Sequence, residues 1–137
     1  MRFLLVWLLV YSPGFALDFE AFAEALAEVE TNNNNSLVGS SGERSAWQFM
    51  PSTWKDYTDI PFVEASNNQE AAKMVLQKHV NTLKKYLKVL DLPTDVYHVA
   101  LIHNAGFGTI KNNKVEARHG DFATRVEQLY KEKNDRR

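Results

Sequence analysis

Between Asp18 and Glu30 the chain sorts its side chains as only an amphipathic helix would. With about 100° of rotation per residue, Phe19, Phe22, Ala23 and Leu26 fall on one apolar stripe, and Glu20, Glu24 and Glu28 recur on the far face as a solvated acidic row. Such a helix is stable only when its stripe is buried against other elements, so the segment demands a packed domain. Glu30 breaks the sorting. It lies eleven residues after Phe19, about three turns on, and returns to the apolar stripe. A carboxylate placed there is desolvated, which raises its pKa, and the negative end of the helix dipole acts in the same direction. A glutamic acid kept protonated near neutral pH is what a general acid requires. The competing reading is a frayed helix end with Glu30 turned to solvent.

Downstream, helical patterns alternate with polar turns. Residues Asn32 to Glu43, rich in Asn, Ser and Gly, read as a loop or short hairpin, and Trp47 to Phe49 as a short extended piece. Pro51 suits the first turn of a short helix carrying Trp54 and Tyr57. Residues Pro61 to Asn68 are a connection. A long amphipathic helix is expected from about Gln69 to Leu90, burying Val75, Leu76, His79, Val80, Leu83, Tyr86, Leu87 and Leu90 and exposing most of its lysines. Pro93 ends that segment, Thr94 can cap a helix running to about Ala105, and Gly106 suits its C-terminal cap. A last helix from about Asp121 turns Phe122, Val126 and Leu129 inward, and the charged tail from Lys131 to Arg137 frays.

The 137 residues suffice for one domain with a modest core. Residues 1–16 read as a signal peptide. Arg2 gives the positive start, Phe3 to Tyr11 an apolar stretch too short to span a bilayer comfortably, and Gly14-Phe15-Ala16 the small residues of a cleavage site. An uncleaved N-terminus is the competing reading; otherwise the domain covers 17–137, begins near Leu17, and is periplasmic or secreted. The 16 basic and 17 acidic residues speak against a polybasic nucleic-acid binder. The lack of cysteine removes disulfides, thiolate catalysis and cysteine zinc sites. The histidines at 79, 98, 103 and 119 lack metal-binding spacing, and Gly39-Ser40-Ser41-Gly42 is not a nucleophile elbow.

Three blocks carry a more specific signal. The first is Glu30-Thr31 followed by the asparagine run 32–35. The second is Ser45-Ala46-Trp47-Gln48-Phe49-Met50-Pro51. The third is Ala100-Leu101-Ile102-His103-Asn104-Ala105-Gly106-Phe107-Gly108. Their order and spacing resemble the catalytic domain of the soluble lytic transglycosylases, relatives of goose-type lysozyme. That family's pattern is a helix ending in Glu-Ser, then a Gly-Leu-Met-Gln-x-Met-Pro-like stretch, then Ala-Tyr-Asn-x-Gly-x-Gly. The resemblance covers most of residues 18 to 110. Thr31 stands for the family's Ser, Ser45-Ala46-Trp47 for Gly-Leu-Met, and His103 for Tyr. These departures spare the acid and bear on the sugar subsites.

The resemblance implies a lysozyme-like fold, with helices around a cleft and a small loop or hairpin lobe. It implies a monomer that acts on peptidoglycan strands without a cofactor or metal and stays out of the membrane after signal cleavage. Glu30 would protonate the glycosidic oxygen between N-acetylmuramic acid and N-acetylglucosamine. As carboxylate it would then take the proton of the muramic C6 hydroxyl, which closes a 1,6-anhydro ring. An intramolecular nucleophile of this kind gains from proximity and needs no activated water. The expected substrate-binding residues are Gln48, Phe49, Met50, His103, Asn104 and Glu43. Each also has a structural reading: a hydrogen bond for Gln48 and Asn104, core packing for Phe49, Met50 and His103. Glu43 would be a solvent-exposed loop residue paired with Arg44, or, if it faces the cleft, the water-positioning carboxylate of a hydrolase. Asp56 and Asp59 are weaker candidates for that second role. Trp47 and Trp54 read as core more readily than as sugar platforms. A fold kept without turnover, serving wall binding, is the third alternative.

Overall fold

The computed structural model describes residues 16–136; apart from Ala16, the signal-like segment lies outside them. Among the described residues 64% are helical and none forms a strand, so the mainly-α expectation holds. Six α-helices follow in order: α1 Phe19–Thr31, α2 Pro51–Lys55, α3 Gln69–Val89, α4 Val96–Ala105, α5 Phe107–Lys111 and α6 Ala117–Asp135, with a 3₁₀ turn at Phe62–Ser66.

The caps follow from side-chain chemistry. Asp18 accepts a hydrogen bond from the Ala21 amide at the start of α1, and Asn68 does the same for Ala71 at the start of α3. Asp95, not Thr94, caps α4 by accepting from His98 N. Two left-handed asparagines, Asn32 and Asn33, close α1 while their amides reach the carbonyls of Glu28 and Ala27. Asparagine tolerates positive φ better than most non-glycine residues, which gives the run a local reason.

The core lies where α1, α4 and α6 meet, with α3 against α4. Phe22, Leu26, Leu76, Leu87, Val99, Ile102 and Val126 are fully buried there. Trp54 belongs to the same core, its indole N–H donating to the Ile60 carbonyl at 2.7 Å. No described helix is long and apolar enough to cross a membrane.

Several local expectations change. The acidic row of α1 is more than solvated surface: Glu20 pairs with Lys73 of α3, and Glu28 with Lys133 of α6 at 2.9 Å. The tail does not fray at Lys131; α6 starts four residues earlier than expected, after Glu116, and runs to Asp135. Tyr86 is 43% exposed, at the edge of a face whose Leu83 and Leu87 stay buried, and its ring meets Phe107 with centroids 5.3 Å apart and planes tilted by 57°. The segment at 47–49 is not extended. It belongs to a tight turn from Arg44 to Phe49, with Ser45 and Gln48 at φ of 76° and 53°.

Candidate active-site cleft

A cleft of about 520 Å³ opens between the C-terminal ends of α1 and α4 on one side and the loop 39–50 on the other. Every residue singled out for the site borders it: Glu30, Glu43, Gln48, Phe49, Met50, His103 and Asn104. Thr53, His79 and Arg118 complete the lining. The three sequence blocks therefore converge, although more than seventy residues separate Glu30 from Asn104.

Glu30 occupies the last turn of α1, where it ends the stripe of Phe19, Phe22 and Leu26. Its side chain is 18% exposed, so the frayed, solvent-turned alternative does not describe it. No basic residue occupies that last turn to offset the helix dipole. His103 Nε2 stands 3.4 Å from Glu30 Oε1. The other ring nitrogen, Nδ1, is buried and has no hydrogen-bond partner.

Behind His103 lies His79 of α3, with ring centroids 5.6 Å apart and nearly perpendicular planes. His79 Nδ1 is 2.9 Å from the Tyr57 hydroxyl. Burial, and secondarily the neighbouring His103, pushes the His79 pKa down to about 3, so its ring is neutral at ordinary pH. Burial also raises the Tyr57 phenol, more than a hydrogen bond with Thr82 lowers it. Sequence reasoning placed His79 on the buried face of α3; the structure puts it at the edge of that face, lining the cleft floor.

The loop wall is built differently. Thr31, next to the proposed acid, fastens it to the helices. The Thr31 hydroxyl shares its one proton between the carbonyls of Ala27 and Ala46, at 3.1 and 3.0 Å, and accepts from Asn34 N. Asn35 ties the loop from the other side, donating to Ala65 O and accepting from Ala46 N. Ser45 holds its positive φ with its hydroxyl oxygen accepting from Trp47 N at 3.1 Å. Glycine is the residue for which that backbone is free of strain.

Ala46 and Trp47 turn into the core, and the Trp47 indole donates to Ala23 O at 2.8 Å. Trp47 borders a separate groove between α1 and α3, not the Glu30 cleft. The departures at 45–47 are therefore accommodated in the core and the turn.

Gln48 uses its side-chain nitrogen inside the loop, donating to Ser45 O at 2.9 Å and Leu37 O at 3.2 Å. Phe49 is buried and packs on Trp54 and His79, while Met50, 42% exposed, forms the rim. Glu43 faces the cleft and does not pair with Arg44, whose guanidinium instead donates to Ser66 Oγ and lies over Phe62. Gly39 makes room for this arrangement: a Cβ there would stand 2.6 Å from Gln48 Oε1 and 2.9 Å from Glu43 Cδ. Asp59 lines a different groove, beside Trp54 and Phe62, and Asp56 is exposed outside the cleft.

Chemically, the cleft offers one largely withdrawn carboxyl group, a second carboxyl group from the loop, two imidazoles of which that of His79 is neutral, and an arginine. Among the described residues no cluster of three metal-ligating side chains occurs. That set suits proton transfer better than nucleophilic attack by a thiol or an activated serine. No protein-family model, curated protein or solved structure matches this chain.

Proposed function

We propose that this chain adopts a lysozyme-like fold and cleaves peptidoglycan as a lytic transglycosylase, with Glu30 as the only acid and base. The observation that carries the reading is the meeting of Glu30, Gln48 and Asn104 from three distant sequence blocks around one cleft, with Glu30 mostly withdrawn from water. Glu30 protonates the leaving glycosidic oxygen. The resulting carboxylate then accepts the proton of the muramic C6 hydroxyl as that oxygen bonds to the anomeric carbon. The product is a 1,6-anhydro end, and no water is consumed. The protein acts outside the cytoplasm, starting near Leu17; an exported species whose intact mass includes residues 1–11 would overturn that start.

A second reading has its own observation. Glu43 lines the same cleft as Glu30, and a second carboxylate there that positioned a water would make the protein a hydrolase of the same bond. The reading as a wall-binding protein without turnover loses the support of the departures at 45–47, which lie in the core and turn, and keeps that of His103, which lines the cleft.

Mass analysis of purified sacculi digested in heavy-oxygen water separates all three. Transglycosylation leaves unlabelled anhydro ends. Hydrolysis leaves labelled reducing ends and would overturn the first reading while keeping Glu30 as acid. Intact sacculi at high protein concentration would leave only the binding role.

A further inference from the structure

We infer that His103 is a positioning residue for Glu30: held as the Nε2–H tautomer, it donates to Glu30 Oε1 and leaves the transferable proton on Oε2. The inference rests on the reading of Glu30 as the acid, and it moves His103 from sugar contact to control of the carboxyl group.

The geometry supplies the argument. His103 Nε2 is 3.4 Å from Glu30 Oε1, close enough to settle into a hydrogen bond with a small rotation of either side chain. The imidazole side chain is 8% exposed, so it has little contact with solvent. Nδ1 has no partner. A proton on Nδ1 would be a buried donor without an acceptor, while Nε2 would turn a bare lone pair toward the carboxyl group. The reverse tautomer pairs the sole ring donor with the best acceptor in reach.

The other groups facing this pair leave the assignment in place. His79 of α3 meets His103 edge to face, is neutral, and already has the Tyr57 hydroxyl on its Nδ1. Glu43 and Gln48 belong to the opposite wall, and Gln48 spends its amide hydrogens on Ser45 O and Leu37 O. Arg118, on α6 at the mouth, is bound to Glu116 at 2.9 Å.

The consequence is a choice between the two oxygens of one carboxyl group. A carboxylic acid protonated on the oxygen beside His103 would point its proton at the ring. With Oε1 occupied as an acceptor, the proton sits on Oε2. Lining the wall in this way also fixes the side-chain rotamer, so the acid does not have to be reoriented when substrate arrives.

Two measurements test this. The first needs no substrate. NMR of protein labelled at the histidine ring nitrogens should show His103 protonated at Nε2 and bare at Nδ1. In Glu30→Ala that preference should collapse to a tautomer mixture. A dominant Nδ1–H form in the native protein, or an unchanged tautomer in Glu30→Ala, overturns the inference. The second is activity on sacculi. Gln places an amide N–H close to where Nε2 sits, whereas Asn does not reach it. His103→Gln should keep kcat within about tenfold, and His103→Asn should lose about 10–100-fold in kcat with little change in KM. Equal kcat in the Asn variant, or a loss confined to KM, overturns positioning in favour of a plain sugar contact. Should His103→Asn not fold, the NMR arm decides alone. Intact sacculi with the native protein would count against the proposed function, and the tautomer would still be judged on its own.

Discussion

The two walls of the cleft are made by opposite means. The helical wall, at the ends of α1 and α4, places Glu30 and His103 by periodicity: each is the next member of an apolar stripe already committed to the core. The loop wall places Glu43, Gln48 and Phe49 by backbone conformation, with left-handed residues at 45 and 48 and side-chain-to-backbone bonds from Thr31, Asn35 and Ser45. The first wall can be altered only at the expense of the core. The second depends on a handful of polar contacts and can be re-aimed by few substitutions. On the proposed function, the acid sits on the wall tied to the core and the substrate-facing residues on the other, an arrangement that would let specificity drift while the acid stays put.

Substitution on each wall should separate chemistry from shape most strongly. Glu30→Gln should lower cleavage by about 10²–10⁴-fold with the melting temperature nearly unchanged, since it removes the proton but little volume. Glu43→Gln should stay within about tenfold of native activity if transglycosylation operates. Equal losses in both variants would erase the division between the walls and favour the hydrolase.

The helical side should also carry an acid sensitivity that the loop lacks. His79 takes up a proton near pH 6.5 when unfolded but only near 3 when folded, so between those values the unfolded chain binds more protons. Its contribution to stability is complete above about pH 6.5 and drains away as pH falls toward 3, by at most about 5 kcal/mol. Urea unfolding across that range should give a flatter pH dependence for His79→Gln than for the native protein. Parallel curves would dismiss His79 as the source.

The joint between the walls is next in size. Thr31→Val keeps the shape but removes a hydroxyl that serves three partners, and should cost about 2–3 kcal/mol, while Thr31→Ser should cost less than about 1 kcal/mol. Chemical denaturation of the two variants ranks them; similar losses would mean that the methyl, and not the hydroxyl, joins the walls.

Ser45→Gly should have the smallest effect, within about 1 kcal/mol, because relief at positive φ offsets the lost bond to Trp47 N. A loss well above that would make the hydroxyl a principal support of the turn.

The helical wall was legible in the sequence because periodicity is a local signal. Asp18 to Glu30 names its own buried face, and Val96, Val99 and Ala100 do so for the helix bearing His103. The loop wall was legible only through the motif order, which grouped Gln48, Phe49 and Met50 with the acid but gave no conformation. Nothing in Trp47-Gln48-Phe49 announces a left-handed glutamine, because a long side chain rarely takes that backbone and is held there by contacts from Leu37 and Ser45. The orientation of Glu43 and the arrival of His79 and Arg118 depend on contacts between elements distant in sequence. The pairing of Glu28 with Lys133 escaped for the same reason.

Gly39 gives the loop wall a property that neither its hydrogen bonds nor its φ angles convey. The Glu43 carboxylate and the Gln48 carbonyl oxygen both fill the volume a side chain at Gly39 would take. Both groups therefore pack over the bare backbone of one residue, and any side chain at position 39 would push them off the cleft wall they line.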